Sequence, residues 1–204
     1  MLPHNHRRYS FCDKLSTCRG GYDTETDESL RQRYYEKINT PATSGNAAHY
    51  EQWAKSVTGV GSAKVFPTWN GAGTVKVVIC NRNKRAADAK LIKDAAEYIE
   101  TQRPVGATVT VESVQEKAID VTASVVLANG IELGQVKSEF EKVLTEYFKE
   151  IALTHKYVSY AKIGSLLYGV SGVTDYSNLQ VNKGTVNITL TDVELPVVGM
   201  VVLS

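Results

Sequence analysis

The 204-residue chain lacks an excess of charge of either sign. It carries 23 lysines and arginines against 22 aspartates and glutamates, a formal net charge of +1. That balance gives no electrostatic reason to expect a nucleic-acid partner or an anionic membrane surface. The short basic cluster Arg82, Lys84, Arg85 lies in a polar stretch and reads as a solvated loop. Long hydrophobic runs are missing as well. The longest late one, Pro196 to Leu203, is far too short to span a bilayer. The opening residues, MLPHNHRRYSFCDKLS, have no apolar core of the secretory kind. Cysteine is scarce: Cys12, Cys18 and Cys80 cannot all pair within one chain, and their irregular spacing does not form a disulfide framework. Synthesis in a reducing compartment is the simplest reading.

Chemistry-bearing motifs are also missing. His4, His6, Cys12 and Cys18 are of zinc-ligating types, but five residues separate the two cysteines, whereas structural sites use pairs with two to four between. No metal is expected, and residues 1–21, without apolar periodicity, read as an unstructured leader. Gly59-Val-Gly61-Ser-Ala-Lys64 superficially suggests a phosphate loop, yet it lacks the Gly-Lys-Ser/Thr ending and follows a helix instead of preceding one. His49 and His155 are solitary, with no nucleophile or acid beside them in the pattern. Cys80 ends an apolar strand and reads as a small buried hydrophobe. Asp175 and Tyr176 read as turn and packing residues. No catalytic, cofactor-binding or metal-ligating residue is therefore assigned, no cofactor is called for, and the chain is not read as an enzyme.

What the sequence does contain is a patterned core. Apolar residues make up 43% of it, normal for a globular chain. Ser44 or Asn46 caps a helix with Ala47, Tyr50, Ala54 and Val57 along one face, and Gly59 and Gly61 end it. Two extended runs follow, 62–69 and 74–79, joined by the turn Asn70-Gly71-Ala72-Gly73. A helix over 87–101 carries Leu91, Ala95, Tyr98 and Gln102 on one side, with Ile92 and Ile99 beside them. A strand over 108–111 follows. Upstream, the acidic run 25–28 starts a helix bearing Leu30, Tyr34 and Ile38, which Thr40-Pro41 ends.

A second unit begins with the alternation Ile119, Val121, Ala123, Val125, Leu127, a half-buried strand. Asn129-Gly130 turns the chain into a long helix, about 133–152, with Val136, Phe140, Val143, Tyr147 and Ile151 as its stripe and Leu144 and Phe148 widening it. Ser159 caps a shorter helix with Ile163, Leu166 and Leu167. Strands over 173–181 and 185–191 and a last strand from Val197 complete the chain. The expected class is α+β: two small domains, each a mostly antiparallel sheet covered by helices. The expected divisions are a leader over 1–21, a helix and linker over 22–43, a first domain over 44–114 and a second over 115–204. The two units also share a pattern, since Val57-Thr-Gly59-Val60 and Val170-Ser-Gly172-Val173 each precede a predicted hairpin whose turn ends at Gly73 or Gly184. Either an internal duplication or the common use of glycine at such turns explains it.

Four segments, in order and in register, carry a family resemblance. They are Thr24-Glu-Thr-Asp-Glu-Ser-Leu30-Arg-Gln-Arg-Tyr34; Pro41-Ala-Thr-Ser-Gly45-Asn-Ala-Ala-His-Tyr50 with Trp53-Ala and Val57-Thr-Gly-Val60; Arg103-Pro-Val-Gly106-Ala-Thr-Val-Thr-Val111; and Gly172-Val-Thr-Asp175-Tyr with Pro196-Val-Val-Gly199. The chain resembles, over about residues 22 to 204, the baseplate J-like family of contractile-tail bacteriophages and related phage-tail-like particles. Its leader does not resemble the strand-rich region that usually precedes the acidic helix start in that family, which implies a truncated, degraded or separately expressed gene product. The resemblance implies a structural, wedge-type baseplate subunit that packs around the hub and links it to the sheath. Its partners would be other baseplate and tail proteins, and it would be oligomeric in the assembled particle. Its place would be the virion tail baseplate, reached from the host cytoplasm during assembly. A second reading stays open: two α+β units meeting near Ser113–Lys117 also suit a small-ligand-binding module or an unfamiliar enzyme with its site between them.

Overall fold

A computed structural model of the chain describes residues 45–204 and positions 27, 28, 30, 31, 34 and 35. Those six positions are helical and belong to one unit, Met1–Thr40; the remainder forms a second compact unit, Pro41–Ser204. In the first unit Arg31 pairs with Glu28 at 3.4 Å, one helical turn apart. The predicted leader and most of the predicted helix and linker over 22–43 lie outside the described residues.

Helix α1 (Ala47–Ser56) opens the second unit, with the Asn46 side chain accepting a hydrogen bond from the His49 N–H. Its buried side chains are Tyr50, Trp53 and Ala54. Ala47, expected on the apolar face, is exposed, and Trp53 takes its place in the core. The chain leaves α1 through Gly59, whose φ of 110° few other residues adopt. It then forms β1 (Val60–Pro67) and β2 (Thr74–Asn81), an antiparallel pair. Helix α2 (Ala89–Gln102), capped by Asp88, carries the chain across to β3 (Thr108–Ser113). A helix is long enough to reverse the direction of travel twice, so β3 runs parallel to β2. The sheet order is β1-β2-β3. On α2 the buried stripe is Leu91, Ala95 and Ile99; Tyr98 and Gln102, predicted beside them, face outward.

The second sheet has the order β6-β4-β8, built on the long strand β4 (Gln115–Leu127). Helix α3 (Leu133–Ile151) buries Val136, Phe140, Leu144, Phe148 and Ile151. Short strand β5 (Tyr157–Val158) and helix α4 (Tyr160–Tyr168, capped by Ser159) follow. They lead to β6 (Val173–Val181), antiparallel to β4. After β7 (Ile188–Thr189), β8 (Glu194–Leu203) returns parallel to β4. The α+β class holds, and each three-stranded sheet is mixed, with one antiparallel and one parallel pair, where mostly antiparallel pairing was expected.

The predicted second hairpin does not form. Asn182 and Lys183 adopt φ of 47° and 62° and make a two-residue turn closed by Val181 and Gly184 in both directions, at 2.8 and 3.0 Å. The chain then departs: β7 pairs with β5, which sends Ile188 and Leu190 into the α3–α4 core. Burial of those two side chains outweighs continuation of a ladder beside β6. The stretches 44–114 and 115–204 are thus not topological repeats, since β1 pairs with β2 while β6 pairs with β4. Gly184, unlike Gly73 at φ 76°, is not in the left-handed region.

Candidate functional site

The residues singled out for possible chemistry scatter and take structural roles. The His49 ring accepts a hydrogen bond at Nδ1 from the Gly45 N–H at 3.3 Å and lies 4.0 Å from the Trp53 ring. With the Asn46 cap this locks the first turn of α1 from both sides. The His155 ring meets the Thr154 hydroxyl, at 3.0 Å. Cys80 is fully buried, and burial pushes its thiol pKa upward, away from the thiolate that nucleophilic or metal chemistry needs. Gly61 sits at a bulge in β1, where an added Cβ would lie 2.3 Å from the Asn81 carbonyl oxygen. Its role is close backbone approach rather than phosphate binding. Asp175 accepts from the Tyr176 N–H at 2.8 Å, and the Tyr176 hydroxyl fills the space that a side chain at Gly164 would need. Among the described residues no group of three or more His, Cys, Asp or Glu could hold a metal ion. The predicted zinc-type residues of the leader lie outside the described residues.

The region where a ligand cleft was considered is filled with side chains. Val78 and Cys80 of β2, Val114, Ala152 after α3, and Leu195 and Val197 of β8 form an apolar cluster, with Phe66, Leu153 and Val193 against it. Polar contacts flank it. Arg85 grips Glu116 with two N–H donors at 2.8 Å each, and Glu116 also accepts from the Ala86 N–H at 2.8 Å. The guanidinium holds the Glu116 carboxyl below the usual glutamate range and raises Arg85 in turn. On the other flank Lys64 meets Asp192 at 2.7 Å and lowers its pKa. A small depression nearby is lined by Lys84, Arg85, Phe148, Lys149 and the stretch Pro196–Val198, among others. Each of its three cations already has a partner: the Gly61 carbonyl, Glu116 and Glu146.

A polar device that sequence reasoning missed sits in the middle of β4. Asp120 Oδ1 accepts from the Met200 N–H at 2.7 Å, while the Asp120 N–H donates to Asn182 Oδ1 at 2.7 Å and its carbonyl accepts from the Asn182 N–H at 2.9 Å. One residue so ties both edge strands to the centre at an irregularity in the β4–β8 register. Gly199 is required there, because a Cβ would fall 2.2 Å from the Asp120 carboxylate. Asp120 stands on the exposed face of β4, where an aspartate fits the alternation, so the pattern carried no separate signal for it.

Apolar side chains also emerge at the two ends. At the end of β1–β3 away from the filled junction, the turn carrying Trp69 meets the turn carrying Val105, joined by the Thr108 N–H to the Gly73 carbonyl at 2.8 Å. Trp69 is 45% exposed and Val105 fully so. Around the far end of β4 lie Val126, Ile131, Leu133 and Tyr168, all exposed, with Ile131 packed over the Gly172 turn. Exposed apolar groups gathered at the ends of a sheet suit contact with another protein.

Comparison with known proteins adds to this geometry. A family model described as the Baseplate J-like central domain matches residues 42–113, and one described as the Baseplate J-like protein C-terminal domain matches residues 119–204. The phage-like element PBSX protein XkdT of Bacillus subtilis (strain 168) is 40% identical over 188 residues, covering 89% of this chain and 54% of the relative. The uncharacterized protein YqbT of the same organism matches to the same extent. Baseplate protein gp47 of Escherichia phage Mu is 38% identical over 82 residues, 39% of this chain and 23% of its own length. The chain thus spans about half the length of the Bacillus relatives. Among solved structures, a chain of the anti-feeding prophage baseplate superposes over 85% of this chain and 41% of its own length, with a TM-score of 0.58 at 15% identity, a likeness of fold.

Proposed function

The chain belongs to the baseplate J-like family, and we propose that it is a structural, wedge-type subunit of the tail baseplate of a phage or prophage-derived particle. The observation that carries this reading is the pair of family matches, central then C-terminal, in order along one chain from residue 42 to residue 204. The two units, 44–114 and 115–204, act as domains that present surfaces at their outer ends and are held together by the apolar cluster at their junction. Its partners are other baseplate and tail proteins, and its work is assembly rather than catalysis. Among the described residues no helix is long and apolar enough to cross a membrane. Assembly in the host cytoplasm, ahead of incorporation into the particle, completes the proposal.

The filled junction and the exposed Trp69, Val105 and Tyr168 support a role through interfaces. Co-expression with the other baseplate proteins of its own particle should draw the chain into a larger complex, read by co-purification and light scattering. Stable contacts of this kind bury more than about 1,200 Å² in total. A chain that stays unassociated with every baseplate protein offered, also when a relative's preceding region is fused to it, overturns the wedge reading.

A further inference from the structure

The sequence contains two Asn-Gly pairs, Asn70-Gly71 and Asn129-Gly130. Both stand on turns, and all four residues are exposed. Such a pair carries a latent reaction. The main-chain nitrogen of the glycine can attack the side-chain amide of the asparagine, and glycine, without a Cβ, leaves that approach open. Exposure does not separate the two pairs. Hydrogen bonding does. In the Asn70 turn the attacking group is held, since the Gly71 N–H donates to the Thr68 carbonyl at 3.2 Å. The Thr74 hydroxyl accepts from the Asn70 N–H at 3.0 Å and donates to the Gly71 carbonyl at 2.7 Å. That carbonyl also accepts from the Thr74 N–H at 3.3 Å, and the Thr68 N–H donates to the Thr74 carbonyl at 2.7 Å. For attack at Asn70 the peptide must rotate and the nitrogen must give up its acceptor, so several of these bonds break together.

The Asn129 turn is anchored only at its ends. The Ala128 N–H donates to the Gly172 carbonyl at 2.9 Å, and the Ile131 side chain lies over Gly172, where an added Cβ would fall 2.7 Å from it. Between these anchors the Ile131 N–H closes the turn on the Ala128 carbonyl at 3.3 Å. Among the described residues the Gly130 N–H has no acceptor, and the Asn129 side chain has no hydrogen-bond partner. Gly130 sits at φ 83°, and a Cβ added there would meet nothing within 4 Å. The nucleophile is therefore free, and the two residues that must rotate touch little else.

We propose that Asn129 is a site of spontaneous deamidation in the folded chain, and that Asn70, in the same dipeptide, is protected by its turn. The Gly130 nitrogen, losing its proton to solvent, bonds to Asn129 Cγ. The bond from Cγ to the side-chain nitrogen breaks, and ammonia leaves. Water, the one co-reactant, then opens the cyclic imide at either carbonyl, giving an aspartate or an isoaspartate at position 129. Nothing is oxidised or reduced. Either product places a negative charge just ahead of α3, whose N-cap Glu132 makes no side-chain cap hydrogen bond. The charge enters the end of the fold where Val126, Ile131, Leu133 and Tyr168 are exposed. An isoaspartate also lengthens the main chain between two anchored residues, Ala128 and Ile131. This chemistry is independent of the proposed baseplate role.

The test is to hold the full chain in warm, mildly alkaline buffer and follow both peptides by mass spectrometry of timed digests. The peptide carrying Asn129 should convert several-fold to about tenfold faster than the one carrying Asn70, the margin that the bonds of the Asn70 turn supply. In denaturant the two rates should converge, because the reacting dipeptides are the same. Thr74→Val keeps a β-branched side chain in β2 and removes the hydroxyl, so it should speed conversion at Asn70 and leave Asn129 unchanged. Circular dichroism confirms that the variant is folded. Equal rates in the folded chain, or a faster Asn70, overturn the proposal. So does a difference that persists undiminished in denaturant, or a folded Thr74→Val variant in which Asn70 converts no faster than before.

Discussion

The two sheets share a plan and differ in what lies behind the central strand. In both, three strands make one antiparallel and one parallel pair, with helices on one face. Behind β2 lies the junction cluster, so Val77, Val78, Ile79 and Cys80 are all fully buried, alternately toward the helices and toward Val114, Leu195 and Val197. Behind β4 lies solvent: Ile119, Val121 and Ala123 are buried, while Ala118, Asp120, Thr122 and Val126 are exposed. A strand covered on both faces reads as a continuous apolar run, and one covered on a single face reads as an alternation. One plan of strand pairing thus serves in one place with its central strand buried on both faces and in the other as an open wall.

The sharpest way to break this comparison is to place the same charge on the face of each central strand that is turned away from its helices. Val78 of β2 is fully buried, and Val126 of β4 is 58% exposed. Val78→Asp should cost several kcal/mol, because an unpaired carboxylate enters an apolar cluster with no hydrogen-bond partner. Val126→Asp should cost less than about 1 kcal/mol, most of it from the like charge of Asp175 directly across on β6. Denaturant unfolding of both variants measures the difference. Equal losses would mean that the junction admits water or that the outer face of β4 is covered.

Much of this was legible in the sequence, and the parts that were not have a common cause. The run over 74–79 and the alternation from Ile119 placed both central strands, and the caps at Asn46, one of two residues considered, and at Ser159 mark local choices made within one turn of helix. What local pattern could not reveal was pairing. The stretch after Lys183 has strand chemistry, but whether Ile188 lies beside β6 or β5 depends on which core it helps to fill. The same holds for Ala47 against Trp53 and for Tyr98 against Ile99, since several faces of a short helix are apolar enough and the neighbouring sheet chooses among them. The family resemblance rests on residues such as Tyr50, Trp53, Gly172 and Gly199, each of which packs, turns or allows close approach. Such residues report the fold. Exposed side chains such as Trp69 and Tyr168 carry no periodic signature, so their gathering at the ends of the sheets stayed invisible until the elements were placed in space.

A middle-sized effect separates the two turns. Gly73 closes the β1–β2 turn at φ 76°, whereas Gly184 follows a turn whose positive φ values belong to Asn182 and Lys183. Gly73→Val should cost on the order of 1 kcal/mol or more through backbone strain. Gly184→Val should cost less, since an added Cβ there meets only the Val181 carbonyl, at 3.6 Å. Matching melting temperatures for the two variants would contradict the assignment.

The smallest effect tests how far the polar flanks strengthen the joint. Arg85 and Glu116 link the β2–α2 loop to β4, and Lys64 and Asp192 link β1 to the approach to β8. Hydrogen bonding by Arg85 lowers Glu116, and hydrogen bonding by Lys64 lowers Asp192. A carboxyl whose folded pKa lies below its unfolded one contributes in full above the unfolded value, and the contribution is lost as pH falls through the folded value. Stability from the Glu116 pair should therefore be constant above about pH 4.3, the ordinary glutamate value, and decline below it. Partly exposed pairs contribute about 0.2–1 kcal/mol and weaken with salt. An Arg85→Gln, Glu116→Gln double-mutant cycle at pH 7 should give a coupling in that range, smaller at pH 3 and in high salt. A coupling indistinguishable from zero at pH 7 would place the linkage in the apolar cluster alone and leave the ion pair without a part in it.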